Sequence, residues 1–321
     1  MTEKRNTRRI VGIEPPDSAR VRQWVQALKK TYPAWLEVSE MGKSLLGRSI
    51  WTLRLHGCGD SSGLSAPDTP VLYCGGVHGR EWMTTLLMLY FAEEVLHACR
   101  TGRRLCEMDM NRLLSTRSLV IVPCLNPDGT EISINGADSP GLSDYLSEEL
   151  VTKCRSRAFC RRWKANARGV DINRNFNAGW DEMRAAAMER GISGPQPGGW
   201  TGAYPESEPE TQAIVALCRQ LRFRHVVAFH AQGEEIYWNY RSFTPPRAHL
   251  MARILSASSG YRLGEPSANA SAAGLKDWFM ETYHAPAFTV EIGRGECPLS
   301  LGQFWFLYGR LREMLVLGAA L

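Results

Sequence analysis

The stretch VLYCGGVHGREW, residues 71–82, joins a buried-strand pattern to two side chains that can bind a metal ion. Its first seven residues are apolar or glycine, which is typical of a strand covered on both faces. The helical run that follows at 80–99 leaves His78 and Glu81 at the junction of strand and helix. A His and a Glu three residues apart are a weak signal alone, so other parts of the sequence must show whether they belong to a metal site.

Strand and helix patterns alternate along the remaining sequence. Further strands are predicted at 35–42, 48–57, 117–125, 224–230, 234–240 and 285–291, and helices at 18–31, 207–221 (with Ser207 as a possible cap), 247–260, 271–284 and 299–321. The alternation predicts an α/β fold with a mixed, mostly parallel twisted sheet and helices on both faces. One domain is expected over 18–321 after a polar tail at 1–17. The NPDG motif at 126–129 is interpreted as a plain turn, and 131–205 as irregular.

Composition narrows the class of protein. Apolar residues make up 44 % and charged residues 22 % of the chain, as in globular proteins, and the net charge of +5 is modest. The basic cluster at 153–164 comes without a nucleic-acid motif, so we expect it to solvate a loop or attract an acidic substrate. No apolar run reaches 18 residues and no secretory signal is recognisable, which favours a cytoplasmic protein without a membrane span.

The nine cysteines are expected to be reduced thiols in that compartment. A local disulfide between Cys154 and Cys160 is the weaker interpretation. Neither their spacing nor neighbouring histidines indicate a cysteine-based zinc site.

Polar side chains come at the ends of three predicted strands. His78 and Glu81 follow the first, His230 ends the second and Glu291 ends the third. Ligands of such sheets bind beyond the carboxyl ends of the strands. Two His and one Glu form a catalytic zinc set that leaves a position for water. Glu291 is then a candidate general base, and a cation is required for the oxyanion.

Six ordered motifs resemble those of the zinc carboxypeptidase family: GGVHGREW, NPDG, GVDINRNF, FHAQG, KDWF and FTVEIG. The likeness runs from about residue 18 to the end and implies the carboxypeptidase-like fold with one Zn²⁺ per chain. It assigns the metal ligands to His78, Glu81 and His230, and the general base and acid to Glu291.

The resemblance assigns three further residues in GVDINRNF. Asp171 corresponds to the carboxylate that orients the first ligand histidine. Asn173 and Arg174 correspond to the pair that grips the substrate's terminal carboxylate, for which a planar guanidinium is suited.

The chain departs from the family pattern at three positions. Lys164, in RWKAN, takes the place of the oxyanion-stabilising arginine, with Arg162 as the alternative if the register differs. The mobile substrate-capping tyrosine has no counterpart, and Asn269 is the nearest aligned position. Lys276 occupies the specificity position, which argues against a preference for apolar or basic C-terminal residues.

Within the family, HAQGEEIYWNY, AGLKDWF and PAFTVEIGRGECPLS are most similar to the bacterial γ-D-glutamyl-meso-diaminopimelate peptidases. Diaminopimelate carries a second amino-acid head. Lys276, or else Arg294, is expected to bind its carboxylate, and Glu234 or Glu235 its ammonium. Gln232 is a further predicted substrate-binding residue. The alternative interpretation of Lys276 is a solvated residue on a helix. The alternative for each of the two glutamates is that it only caps the end of a strand.

The sequence therefore predicts a zinc peptidase that cuts murein stem peptides, in wall recycling or spore formation, with no nucleic-acid partner. A carboxypeptidase or deacylase of the same fold with another substrate is the second interpretation. A muropeptide-binding protein without activity is the third, and the retention of three ligands and the base argues against it.

Overall fold

The computed structural model describes residues 9–58, 69–136, 141–265 and 272–321. Its strands are β1 Leu36–Lys43, β2 Ser49–Leu55, β3 Val71–Cys74, β4 Leu119–Val122, β5 His225–His230, β6 Glu235–Tyr237, β7 Arg262–Gly264 and β8 Ala287–Glu291. Its helices are α1 Ser18–Thr31, α2 Met83–Thr101, α3 Met110–Thr116, α4 Pro127–Asn135, α5 Glu148–Lys153, α6 Arg157–Cys160, α7 Trp180–Glu189, α8 Pro209–Gln220, α9 Pro246–Ser259, α10 Leu275–Tyr283 and α11 Phe304–Ala320. None of these described helices is long and apolar enough to cross a membrane.

The strands form one sheet in the order β1-β2-β4-β3-β5-β8-β6-β7. Its centre is parallel, since β4, β3, β5 and β8 run in the same direction. Antiparallel pairing joins β2 to both β1 and β4, and β6 to β8. The predicted α/β fold with a mixed, mostly parallel sheet is confirmed.

Alternate residues of the central strands supply the two cores, because successive side chains of a strand point to opposite faces. In β3, Val71 and Tyr73 belong to one core, which includes residues of α1, α2, α9 and α11. Leu72 and Cys74 belong to the other, which α8 and α10 cover. Covering both faces explains why β3 and β4 are continuous apolar runs.

The register brings three strand ends together. Cys74 of β3 pairs with Ala228 of β5, and His230 at the end of β5 pairs with Glu291 at the end of β8. The chain leaves β3 through residues 75–82 and enters α2. The side chains that follow these strands therefore meet at one edge of the sheet, which we call the carboxyl edge.

Two local predictions are wrong. The NPDG motif is not a plain turn: Asn126 caps α4, its Oδ1 accepting the Gly129 N–H at 2.8 Å, and Pro127 takes the first helical position, where its missing N–H costs nothing. Ser207 does not cap α8. Its hydroxyl instead donates to the Glu208 carboxylate at 2.8 Å.

The region 131–205 is less irregular than predicted, because α5, α6 and α7 lie in it. In the N-terminal tail, the Ile10 and Val11 N–H groups donate to the two oxygens of Glu93 at 2.8 and 2.9 Å, and Val11 is buried. The domain boundary at residue 18 stays a prediction.

Candidate active site

Three potential metal donors converge at the carboxyl edge. The Nδ1 atom of His78 lies 2.9 Å from Oε1 of Glu81, and the Nδ1 atom of His230 lies 3.0 Å from Oε2 of the same carboxylate. The two Nδ1 atoms are 3.2 Å apart. All three side chains are buried, and they form the one such cluster found among the described residues.

These donors fit a zinc ion. Bonds of about 2.0–2.1 Å in a tetrahedral site separate ligand atoms by roughly 3.3–3.4 Å, close to the separations of 2.9–3.2 Å seen here. Two imidazoles and a carboxylate are also ligands that zinc prefers. Two ring nitrogens aimed at one point beside a buried carboxylate are the arrangement that a cation stabilises.

Asp171 fixes the orientation of His78. Its Oδ1 accepts from Nε2 of His78 at 3.0 Å, which leaves the Nδ1 lone pair directed at the metal position. The Gly199 N–H holds the other oxygen at 2.9 Å. Burial opposes ionisation of Asp171, but the neighbouring imidazole outweighs it and holds the pKa of the carboxyl well below its usual range.

Neighbouring charges and burial also shift the pKa values of the three metal donors. Burial alone would lower the pKa of His78, but the carboxylates of Glu81 and Asp171 raise it to about 9. Burial lowers the pKa of His230. Burial also disfavours the ionised Glu81, yet His78 and Lys164 keep the pKa of that carboxyl well below its usual range. The site is therefore built to keep an anion facing the two rings.

Glu291 lies at the end of β8, next to His230 in the sheet register. Burial, and after it the Glu81 carboxylate, raise its pKa to about 8. A carboxyl group with a raised pKa can both accept and return a proton near neutral pH. Glu291 therefore lies where the predicted general base and acid is expected, in the wall of the cavity beside the metal donors.

Lys164 is a cation that lies next to the metal donors. Its Nζ lies 3.6 Å from Oε1 of Glu81, and its backbone carbonyl accepts the Gly79 N–H at 2.9 Å. Gly79 itself has no space for a side chain, because a Cβ there would overlap the backbone of Gly129. Arg162, the alternative from the sequence, is exposed to solvent. The structure thus brings Lys164, and not Arg162, to the predicted metal ligands.

A cavity of about 160 Å³ opens beside the donors. It is lined by His78, Lys164, Asn173, Arg174, Tyr237, Gly274, Lys276, Asp277, Thr289 and Glu291. The Arg174 guanidinium donates to the Ala272 carbonyl at 3.2 Å, and Asn173 Oδ1 accepts the Leu275 N–H at 3.2 Å. Lys276 is buried, with Nζ donating to the Asn239 carbonyl at 2.7 Å, so it is not a solvated helix residue.

Other predicted substrate-binding residues lie elsewhere. Arg294 does not line the cavity and pairs with Glu234 at 2.7 Å, while Gln232 is exposed. Asn269 falls outside the described residues.

Asp277 and Tyr237 also line the cavity and were not predicted from the sequence. Asp277 had a usable signal, since it follows Lys276 directly in the motif KDWF. Tyr237 had none, because its position depends on the pairing of β6 with β8.

Comparison with known proteins agrees with this geometry. The family model described as zinc carboxypeptidase matches residues 21–300. The γ-D-glutamyl-L-diamino acid endopeptidase 1 of Lysinibacillus sphaericus is 33 % identical over 307 residues, which cover 95 % of this chain and 72 % of that protein.

Among solved structures, thrombin-activatable fibrinolysis inhibitor superposes with a TM-score of 0.74 at 18 % identity, covering 98 % of this chain and 77 % of the other. The murein-tripeptide amidase MpaA from Escherichia coli O157 gives 0.52 at 23 % identity, covering 88 % and 91 %. These two likenesses concern the fold. Together with the family match and the His-Glu-His donors, they lead to one conclusion: the chain is a metallopeptidase of the zinc carboxypeptidase family, with Zn²⁺ as its cofactor.

Proposed function

We propose that this enzyme hydrolyses the bond between γ-D-glutamate and meso-diaminopimelate in murein stem peptides. The observation that carries the proposal is the presence of two separate cations, Arg174 and the buried Lys276, in one cavity beside the metal donors. A leaving residue held there is favoured when it has two carboxylates. Diaminopimelate has one on each of its two heads.

The relative from Lysinibacillus sphaericus supports the same substrate class, since its name specifies a γ-D-glutamyl-L-diamino acid bond. Lys276 is paired with Asp277 in the cavity wall, and a neutral side chain there would leave the remaining hydrogen-bonding positions of this buried ion pair unsatisfied, which is unfavourable. The cavity therefore argues against a carboxypeptidase that prefers apolar residues.

The residues divide the reaction among them. His78, Glu81 and His230 hold the zinc ion, and Asp171 keeps His78 in the required tautomer. Zinc, when bound, polarises the scissile carbonyl and lowers the pKa of a water toward about 7. Glu291 takes the proton of the attacking water and returns it to the leaving amine. Lys164 stabilises the negative charge that develops on the carbonyl oxygen, as a point charge without the fork of an arginine.

Asn173 and Arg174 hold the α-carboxylate of the leaving residue, and Lys276 holds the distal carboxylate. Two fixed anions orient the residue so that its amide bond faces Glu291 and the metal position. Positioning of this kind contributes to the rate without direct participation in the chemistry.

The test uses zinc-loaded protein with L-Ala-γ-D-Glu-meso-diaminopimelate, read by mass spectrometry, and a Glu291→Ala protein as the control. Release of free diaminopimelate by the wild type alone is the expected result. Absence of cleavage by protein with one bound zinc per chain would contradict the proposed substrate. A panel of peptides and acylated amino acids would then identify the carboxypeptidase or deacylase activity.

A further inference from the structure

Lys276 and Asp277, at the start of α10, form a buried ion pair in the wall of the cavity. Their side chains are only 6 % and 5 % exposed. Lys276 Nζ donates to Asp277 and to the Asn239 carbonyl. An ammonium group has three N–H donors. The Tyr240 ring lies 5.5 Å from Nζ, and among the described residues the third N–H has no hydrogen-bond acceptor.

Asp277 also has unused hydrogen-bonding capacity. One of its oxygens accepts from Lys276, and the other accepts the Gly274 N–H at the long distance of 3.4 Å. An ionised carboxylate offers about four acceptor positions. A buried ion pair is costly unless such remaining positions are satisfied, so this pair is suited to a ligand that completes them.

The two glutamates considered for the substrate's ammonium are already engaged. Glu234 pairs with Arg294 at 2.7 Å and with Arg310 at 2.8 Å. Glu235 accepts from the Tyr237 hydroxyl at 3.0 Å and pairs with Arg262 at 3.1 Å. Neither glutamate lines the cavity. Of the described residues that do, the carboxylates are Asp277 and Glu291.

We propose that Lys276 and Asp277 together bind the distal head of the diamino acid as a zwitterion, with Lys276 taking its carboxylate and Asp277 its ammonium. This inference rests on the proposed function. The two charged groups of an amino-acid head share one carbon atom, and the two charges of the protein pair are in direct contact. When the amino-acid head binds the pair, its carboxylate faces the Lys276 ammonium and its ammonium faces the Asp277 carboxylate. These two attractions favour this ligand over a singly charged one.

The pair makes Asp277 a specificity-determining residue. A substrate that ends in lysine keeps the ammonium for Asp277 but has no distal carboxylate for Lys276. A substrate that ends in 2-aminopimelate lacks the ammonium and leaves Asp277 without its new partner. Loss of one charge-assisted hydrogen bond lowers kcat/KM by about 10- to 100-fold.

The test measures kcat/KM for L-Ala-γ-D-Glu joined to meso-diaminopimelate, L-2-aminopimelate or L-lysine. The wild type is expected to cleave the first peptide at least about 10-fold better than either of the others. Asp277→Asn keeps the shape of the side chain and an acceptor oxygen. It should lose most of its activity on the diaminopimelate peptide but little on the 2-aminopimelate peptide, so that the preference between them disappears.

Asp144→Asn is the matched control, because Asp144 is exposed and does not line the cavity. It should keep the wild-type preference. An equal fall of Asp277→Asn on both peptides would make Asp277 a structural support of Lys276 and overturn the inference. Equal cleavage of both peptides by the wild type would overturn it without any variant. Failure of the wild type to cleave any γ-D-glutamyl peptide at full zinc content would contradict the proposed function instead.

Discussion

Strand β5 has a buried histidine at each end, and the two imidazoles have different surroundings. At the amino end, Nε2 of His225 donates to the Gly318 carbonyl of α11 at 2.8 Å. At the carboxyl end, Nδ1 of His230 faces Glu81 and His78. Each residue is 1 % exposed, so burial does not distinguish them. Their partners distinguish them: His225 contacts a backbone carbonyl, whereas His230 contacts two further potential metal donors.

The two edges of the parallel strands differ in the same way. At the amino edge, the side chains of Arg224 and His225 donate to the carbonyls of Leu321 and Gly318 at the end of α11. At the carboxyl edge, charges of both signs are gathered and buried. Changes at the carboxyl edge should therefore lower activity in a folded protein, whereas changes at the amino edge should alter only stability.

The largest expected effect is that of Glu291→Gln. The amide cannot exchange a proton with water or the leaving amine, so kcat should fall by about 10²- to 10⁴-fold. Zinc content and thermal midpoint should stay close to the wild type, because the side chain keeps its shape. Steady-state kinetics on the diaminopimelate tripeptide gives the answer, and a kcat near the wild-type value would contradict the role of this residue.

Lys164→Met should follow, with kcat lower by about 10²- to 10³-fold, the cost of losing one group that stabilises an oxyanion. Lys164→Arg should restore part of the rate because it restores the charge. Arg162→Met is the matched control on an exposed side chain and should behave as the wild type. A larger loss in the control than in Lys164→Met would assign the oxyanion role to Arg162.

Asp171→Asn should weaken zinc binding or activity by about 10- to 100-fold. The amide cannot hold His78 in the tautomer that points Nδ1 at the metal position as an ionised carboxylate does. Competition with a chromogenic chelator measures the zinc Kd directly. Asp181→Asn, on an exposed side chain of α7, provides the comparison, and identical zinc affinities for both variants would remove Asp171 from the site.

The smallest effect on activity is expected at the amino edge, from His225→Gln. Burial lowers the pKa of His225 to about 3 in the folded protein, against about 6.5 when unfolded. The unfolded chain thus binds the proton first. His225 contributes stability above about pH 6.5 that is lost as the pH falls toward 3.

The glutamine variant retains a donor for Gly318 but does not titrate, so its free energy of unfolding should fall less steeply below pH 6.5. Urea unfolding of both proteins at pH 7.5, 6.5 and 5.5 measures the two slopes. An equal dependence of the free energy of unfolding on pH in both proteins would contradict the proposed difference between the two edges. A loss of kcat at neutral pH in the variant would contradict it as well.

Residues at the carboxyl edge were predictable because short-range patterns identify them. The apolar runs locate β3, β5 and β8, and the polar residue that ends each run must lie at the same edge of a parallel sheet. His78, Glu81, His230 and Glu291 all follow this rule. The motif GVDINRNF adds the predicted role of Asp171 through family resemblance, whereas Lys164 was predicted at a position where the chain departs from the family pattern.

Predictions that depend on long-range pairing were less successful. Arg294 follows β8 closely in sequence, yet the acid that binds it, Glu234, lies in the turn directly before β6. No local sequence pattern predicts such an ion pair. The same reason applies to Ser207, whose hydroxyl accepts from the side chain of Asn175 at 3.0 Å and donates to Glu208 instead of capping α8. The direction of an exposed or paired side chain depends on tertiary contacts that periodicity does not encode.

The contact between Gly79 and Gly129 has a consequence for how this chain can change over evolutionary time. A Cβ at Gly79 would overlap the Gly129 backbone, and one at Gly129 would overlap the Ala165 carbonyl. The turn that carries His78 and Glu81 is thereby locked, main chain against main chain, to the segment that carries Lys164. The pocket residues on α10 act through their side chains alone. New substrate preferences can therefore arise by point changes on α10, while the two backbone segments that carry the chemistry are held together by contacts that leave no space for a side chain at Gly79 or Gly129.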